Sequence, residues 1–125
     1  MGNPSKAKGT RAETAVVRYM LDHGIEAERR ALTGSSDSGD VKLTDDMGRQ
    51  WVIEIKAGKQ TSNPNRTQLE EWLRQTRREG RNANMPCALC VVRYRRALED
   101  ADVYILRCNV LEYMHLDEFA RSLKV

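Results

Sequence analysis

The chain has 125 residues, a formal net charge of +3, 40% hydrophobic residues and 31% charged residues. This size and composition are typical of one soluble globular domain, and no apolar run approaches the roughly 18 residues of a membrane span. The N-terminus lacks the apolar core of a secretory signal, and three cysteines, an odd count, argue against a disulfide framework. These features predict a cytoplasmic protein with no membrane partner.

The first part of the chain predicts a basic arm followed by a helix. Residues 1–9 are polar and contain Lys6 and Lys8, so we expect a flexible arm that can reach a phosphate backbone. Residues 10–125 show no composition shift and predict a single domain. A helix is predicted over residues 10–23, with a capping box at its start and Gly24 as its stop. Glu13 shares the inward face of this helix, and spacing alone favours a capping role for it over a catalytic one.

The strongest strand pattern covers residues 51–56, where one face is wholly apolar and the other ends with Glu54 and Lys56. Asp40 opens the preceding strand, and residues 44–48 between the two strands have the composition of a hairpin turn. An antiparallel pair of this kind brings Asp40 across from the Glu54 strand. Two carboxylates beside an ammonium suit Mg²⁺, which prefers oxygen ligands, whereas the structural alternative is a cross-strand ion network.

These acidic residues also carry a family resemblance. Gly39 and Asp40, followed by Glu-Ile-Lys at residues 54–56, resemble the acidic motif of the PD-(D/E)XK nuclease superfamily, with glycine in place of the usual proline. Residues 8–13, Lys-Gly-x-x-x-Glu, are similar to a first-helix motif of archaeal-type Holliday junction resolvases, whose glutamate faces the metal site. The resemblance therefore favours a catalytic role for Glu13.

The resemblance implies a metal site with defined roles. Asp40, Glu54 and the backbone carbonyl of Ile55 are expected to hold Mg²⁺ or Mn²⁺, with one or two ions in each active site. Lys56 is expected to orient or deprotonate the attacking water, or to stabilise developing negative charge. Glu13 is expected to hold a second ion, directly or through water.

Two further catalytic candidates rest on the same resemblance. The polar loop of residues 33–39 contains Ser35 and Ser36, either of which is similar in placement to a catalytically important serine of the resolvases. Gln68, at the start of the second predicted helix, resembles the glutamine or serine that follows the motif in related nucleases.

The second helix is predicted over residues 66–79, with a capping box at residues 67–70 and Gly80 as its stop. The basic stripe on this helix consists of Arg74, Arg77, Arg78 and Arg81. We interpret it as free of acids, which favours phosphate contact over a merely solvated face. The predicted DNA-binding residues are Lys6, Lys8, Arg11, Arg29, Arg30, Lys59, Arg74, Arg77, Arg78 and Arg81.

The remaining pattern predicts strands at residues 27–31, 87–93 and 101–107 and a helix at residues 116–123. Cys87 and Cys90 have a spacing seen in zinc sites, but on a strand they point to opposite faces, so inert buried thiols are favoured. Leu111, Tyr113 and Met114 are assigned either to the core or to an apolar dimer surface. The element order predicts an α/β, restriction-endonuclease-like fold, αβββαβ, with a mixed sheet flanked by helices.

Together, the motifs and the resemblance imply a metal-dependent endodeoxyribonuclease, in particular a Holliday junction resolvase acting on branched DNA as a homodimer. A two-fold dimer is expected because two active sites must cut symmetrically related strands. The alternatives are a restriction- or repair-type nuclease of the same fold on linear DNA, and a non-catalytic DNA-binding module that uses the arginine side of the second helix.

Overall fold

The computed structural model describes residues 4–30, 40–107 and 110–124, and only the backbone of residues 4–10 and 40. This part of the chain forms three α-helices and six β-strands. The helices are α1 (Pro4–Asp22), α2 (Arg66–Ala83) and α3 (Leu116–Ser122). The strands are β1 (Glu26–Arg29), β2 (Asp40–Thr44), β3 (Gln50–Lys56), β4 (Cys87–Val91), β5 (Asp102–Arg107) and β6 (Val110–His115).

The six strands form one mixed sheet in the order β1-β2-β3-β4-β5-β6. All neighbouring pairs are antiparallel except β3 and β4, which are parallel and are connected through α2. A parallel connection needs a crossover, which α2 provides. The predicted αβββαβ order and mixed sheet are confirmed, and β5, β6 and α3 extend that core.

The alternation of residues along β3 divides its side chains between two packed layers. Trp51, Ile53 and Ile55 join the larger core, which lies between the sheet and helices α1 and α3. Val52 packs on the other face, where α2 covers the sheet. Glu54 and Lys56 share this second face because they follow Val52 at a spacing of two. We call it the α2 face.

Helix α1 begins at Pro4, earlier than the predicted start at Thr10. Proline is favoured at the first helical position, where its missing N–H leaves no hydrogen bond unmade. Thr10 therefore lies inside the helix, so the predicted capping box is wrong, and residues 4–9 are helical where a flexible arm was predicted. Gly24, at φ 78°, follows the helix in a left-handed conformation, as its predicted role as a stop requires.

Helix α2 begins at Arg66, as predicted, but its N-cap and its end differ from the prediction. Its N-cap is Asn65, whose side-chain oxygen accepts the backbone N–H of Gln68 at 2.8 Å, and the predicted capping box at residues 67–70 is wrong. The helix continues past Gly80 and ends before Asn84, which adopts φ 55°. Gly80 is buried against β4, and a Cβ there would lie 2.6 Å from the Sγ of Cys87. Close packing, rather than helix termination, explains this glycine.

The two described cysteines lie on opposite sides of the sheet, as predicted. Cys90 packs in the larger core and Cys87 on the α2 face. Burial raises the pKa of Cys90 to about 12 and also raises the pKa of Cys87. Both thiols are therefore protonated near neutral pH and are poor metal ligands.

Strand β6 forms one edge of the sheet and resolves the two interpretations of residues 111–114. Met114 packs against the larger core, whereas Leu111 and Tyr113 are exposed to about half of their surface, at 50% and 51%. Val110 is exposed as well.

Among the described helices, none is long and apolar enough to cross a membrane.

Candidate active site

The β2–β3 hairpin that carries the predicted acidic residues is closed by Asp45. One oxygen of its carboxylate accepts the backbone N–H groups of Arg49 and Met47 at 2.8 and 3.0 Å, and the other accepts the indole N–H of Trp51 at 3.1 Å. Partial burial raises the pKa of Asp45, but these hydrogen bonds outweigh it and hold the pKa below its usual value. The turn thus fixes the register of the hairpin.

The register pairs Asp40 with Glu54 directly across the two strands. Positions that face each other in an antiparallel ladder lie on the same face of the sheet, so residues 40 and 54 both belong to the α2 face. The prediction that the hairpin brings Asp40 across from the Glu54 strand is confirmed at the level of the backbone.

Glu54 is fully buried, at 0% exposure, and its Oε1 lies 3.3 Å from the Nζ of Lys56. The Lys56 side chain keeps 19% of its surface exposed and so reaches the end of the sheet. Burying a carboxylate costs several kcal/mol, which a neighbouring ammonium offsets only in part. A second cation beside Glu54 would be stabilised strongly in this environment.

The backbone of β3 places the carbonyl of Ile55 on the side of β2. The N–H of Val52 donates to the Pro86 carbonyl at 3.0 Å, and the Lys56 carbonyl accepts the Val92 N–H at 2.8 Å. The backbone N–H and C=O groups of successive residues point to opposite sides of a strand, so the carbonyl of Ile55 points away from β4. This direction is towards the strand that Asp40 opens.

Glu13 lies on the other side of the sheet, in α1, and is only 8% exposed. Its Oε1 accepts the Arg29 Nε–H at 3.1 Å. Arg29 is opposite Val41, the neighbour of Asp40, so Glu13 approaches the same end of the sheet from the α1 side. Arg29, which is predicted to contact phosphate, forms an ion pair with this glutamate and keeps 41% of its side chain exposed.

The donor set fits a hard cation. Its oxygen ligands are the carboxylate of Glu54, a second carboxylate at position 40 and the backbone carbonyl of Ile55. Mg²⁺ and Mn²⁺ prefer ligands of this kind. Gln68 is exposed in the first turn of α2, at the end of the helix that covers this face. Ser35 and Ser36 lie outside the described residues.

The predicted basic residues fall into several environments. On α2, Arg74 forms an ion pair with Glu71 at 2.5 Å, so the stripe is not free of acids and that interpretation is wrong. Lys6 and Lys8 lie on α1, with side chains outside the described part of the structure. The exposed members of the predicted set are Arg11, Arg29, Arg30, Lys59, Arg74, Arg78 and Arg81, whereas Arg77 is half-buried.

Sequence reasoning missed a buried carboxylate near the same end of the sheet. Asp102 is 4% exposed, accepts the Arg93 Nε–H at 2.5 Å and accepts a hydrogen bond from the Tyr113 hydroxyl. In the sheet, Asp102 pairs with Val91 of β4, and Val91 pairs with Lys56 of β3. Asp102 therefore lies on the α2 face, two strands away from Lys56. The hydrogen bond from Tyr113 to Asp102 raises the pKa of Tyr113 to about 12. The hydrogen bond from Arg93 to Asp102 likewise raises the pKa of Arg93. The only sequence signal was the arginine cluster that follows β4.

A second group of possible metal ligands, His115, Asp117 and Glu118, lies at the start of α3. Helix capping explains it, because Glu118 accepts the backbone N–H of His115 at 3.2 Å and Asp117 lies 3.8 Å from Arg121.

The six-stranded mixed sheet and its flanking helices have a restriction-endonuclease-like fold. The particular structural similarity is to Hjc of Archaeoglobus fulgidus, a Holliday junction resolvase from an archaeal hyperthermophile. The two match with a TM-score of 0.51 over 86% of this chain and 88% of that chain, at 16% sequence identity. No protein-family model and no curated protein matches the chain. The similarity shows the fold, and the resemblance based on the motifs is confirmed at that level.

Proposed function

We propose that this protein is a metal-dependent endonuclease that hydrolyses DNA phosphodiesters, with the four-way junction as its substrate. The observation that carries the proposal is the pairing of Asp40 with Glu54 across the hairpin, with the Lys56 ammonium 3.3 Å from the Glu54 carboxylate. The structural similarity to a Holliday junction resolvase supports the choice of branched DNA over linear DNA.

In this proposal Mg²⁺ or Mn²⁺ would be held by Asp40, Glu54 and the Ile55 carbonyl. Glu13 would bind a second ion. The metal supplies Lewis-acid stabilisation of the phosphate and a more acidic water. Lys56 orients the attacking water and places positive charge where negative charge develops on the phosphate. The burial of Glu54 keeps its carboxylate in one position, because a packed side chain has few alternative rotamers.

The remaining predicted residues take secondary roles. Gln68 and one of the loop serines, Ser35 or Ser36, position the substrate at the site. Exposed basic residues contact the phosphate backbone, and Arg29 joins them only when its ion pair with Glu13 opens. Such contacts release counterions, so binding is expected to weaken steeply with added salt.

We further propose a homodimer located in the cytoplasm. Two cuts at symmetric positions of a junction require two active sites related by a two-fold axis. The β6 edge supports this assembly, because its exposed backbone is accompanied by exposed Val110 and Leu111. Protonated buried thiols agree with a reducing compartment.

The experiment compares a labelled four-way junction, a linear duplex and a flap in Mg²⁺, Mn²⁺ and EDTA. Wild type is expected to make paired symmetric nicks in the junction with either metal, and Asp40→Asn is expected to make none while still binding. Equal cutting of all three substrates would favour a restriction- or repair-type nuclease. Binding without cutting under every metal condition would leave the non-catalytic DNA-binding module.

A further inference from the structure

A groove at the opposite end of the sheet from Glu54 gathers arginines from three separate elements. Arg77 and Arg81 lie one turn apart near the end of α2, Arg49 precedes β3, and Arg107 ends β5. We call this feature the far groove. It has a volume of about 780 Å³, and none of its described lining residues is acidic. Its floor is apolar, formed by Met85, Pro86 and Leu106.

The fold accounts for only part of this charge. A basic residue such as Arg81 in the last turn of a helix is favourable to the helix dipole. Arg107 lies over the Trp51 ring at 5.5 Å and is 3.7 Å from Glu112, an exposed and long ion pair that contributes little. Neither argument explains why Arg49 and Arg77 line the same groove. Like charges gathered in one concavity raise the local positive potential, which attracts anions.

The distance to the candidate active site indicates what kind of anion fits. Arg49 and Lys56 are seven positions apart along β3, which is roughly 23 Å at about 3.3 Å per residue. A small phosphate compound in the far groove would have no connection with the scissile phosphate. A duplex spans this distance in about seven base pairs, since each adds about 3.4 Å along its axis.

We propose that the far groove binds the phosphate backbone of a duplex arm of the DNA whose scissile phosphate lies at the Glu54–Lys56 end. This inference rests on the proposed function and extends it to a second contact on each protomer. Guanidinium groups are suited to this task because their forked N–H groups bind phosphate oxygens in pairs. The contact is independent of base sequence, since it reads only the backbone.

The test is equilibrium binding of a long-armed four-way junction in EDTA over a range of salt concentrations. The double variant Arg49→Gln with Arg81→Gln is compared with Arg18→Gln and Arg121→Gln, which remove the same charge from exposed positions on α1 and α3. We expect the far-groove variant to bind about tenfold more weakly. We also expect its salt slope to fall by about 2, since each lost phosphate contact contributes about 0.9. The control should keep the wild-type slope, and Arg49→Lys with Arg81→Lys should recover most of the affinity because the charge is kept.

Equal losses in the far-groove and control variants would overturn the inference, because net charge alone would then explain binding. So would an unchanged slope in the far-groove variant while its thermal unfolding is normal. Junction cutting in Mg²⁺ is measured separately. If wild type cuts the junction but the far-groove variant binds normally, the proposed function stands and this inference fails. If the groove contributes to binding but Asp40→Asn cuts as wild type does, the assignment of the active site fails instead.

Discussion

A fully buried carboxylate such as Glu54 needs a reason, because its neighbour on the same face, Val52, shows that an apolar side chain packs well there. Removing a carboxylate from water costs several kcal/mol, and the Lys56 ammonium at 3.3 Å offsets part of this cost. Residues that cost stability without improving packing are typical of functional sites. The residue-scale evidence therefore favours a cation-binding role for Glu54 over an ion network that only stabilises the sheet.

Glu54→Gln separates these two roles. The substitution removes the buried charge but keeps an oxygen beside the partly exposed Lys56 ammonium, so we expect the midpoint of thermal unfolding in EDTA to change little, while junction cutting in Mg²⁺ falls by at least about 100-fold. Thermal unfolding with and without Mg²⁺ and a single-turnover cutting assay measure both quantities. A clear loss of stability in EDTA, with binding and cutting intact, would support the structural ion network.

Asp45 provides a residue whose role is structural, and its variant makes a useful comparison. Asp45→Asn keeps an oxygen for the two backbone N–H groups but loses the hydrogen bond from the Trp51 indole. We expect a loss of about 1 kcal/mol in the free energy of unfolding at pH 7, the usual net contribution of one hydrogen bond, with cutting retained at permissive temperature.

The pH dependence of this loss follows from the lowered pKa of Asp45. A carboxyl group whose pKa is lower in the folded state stabilises the fold above its ordinary value, here 3.8, and loses that contribution as pH falls through the folded value. The difference between wild type and Asp45→Asn should therefore shrink below about pH 4. Urea unfolding at several pH values measures it, with Asp100→Asn in an exposed turn as the control. A difference that grows as pH falls would contradict the assignment.

At the scale of whole elements, sequence patterns predicted the features that depend only on residues close together in the chain. The alternation of apolar residues in β3 and the turn composition before it predicted the hairpin, because strand period and turn chemistry act over a few residues. The start of α2 at Arg66 was predicted, but its N-cap was placed two residues late, since Asn65 and Thr67 are both acceptable caps and only the chain path selects one. The start of α1 was missed because Thr10 carries a capping pattern inside a longer helix.

Other features depend on contacts between different secondary-structure elements and could not be predicted. Gly80 has the position of a helix stop, but its role is set by the side chain of Cys87, which reaches it from β4. The interaction of Asp102 with Arg93 and Tyr113 joins three successive segments through one carboxylate. Of the candidate site, the facing of Asp40 and Glu54 was predictable from the hairpin, whereas the ion pair between Glu13 and Arg29 depends on tertiary packing.

Gly80→Ala tests the close approach of α2 to the sheet. Alanine is normally the better helix former, yet here its Cβ would lie 2.6 Å from Sγ and 2.8 Å from Cβ of Cys87. We expect a loss of about 1–3 kcal/mol in the free energy of unfolding, the typical cost of overpacking. Chemical denaturation measures it, and Asn82→Ala, exposed on the same helix, serves as the matched control. A stabilised Gly80→Ala protein would show that Gly80 has room for a side chain.

At the scale of the whole molecule, the sheet has two ends with different chemistry and two edges with different side chains, which are mostly charged on β1 and partly apolar on β6. Glu54 and Lys56 lie at one end and the far groove at the other, while β1 and β6 form the edges. An edge strand with exposed apolar side chains is usually protected or paired in natural proteins. The β6 edge is therefore the surface at which the proposed dimer would form.

Leu111→Glu tests the dimer. Leu111 is 50% exposed, so a charge there leaves the monomer folded but opposes an apolar interface. We expect the variant to shift from dimer to monomer in light scattering and to lose paired cutting of the junction. The control is Met47→Glu, because Met47 is 78% exposed at the tip of the β2–β3 turn. If Leu111→Glu remains a dimer, the interface lies elsewhere on the surface. A wild-type monomer that nevertheless cuts junctions in symmetric pairs would contradict the need for a dimer.

The short turn that Asp45 closes has a consequence for how the protein reaches its folded state. Asp40 and Glu54 pair across a hairpin, so they are close along the chain as well as in space. Contacts of this kind form within microseconds, whereas the parallel pairing of β3 with β4 must wait for the whole of α2 to bridge them. We therefore expect the two carboxylate positions to be aligned early, before α2 covers Glu54 and excludes water from it.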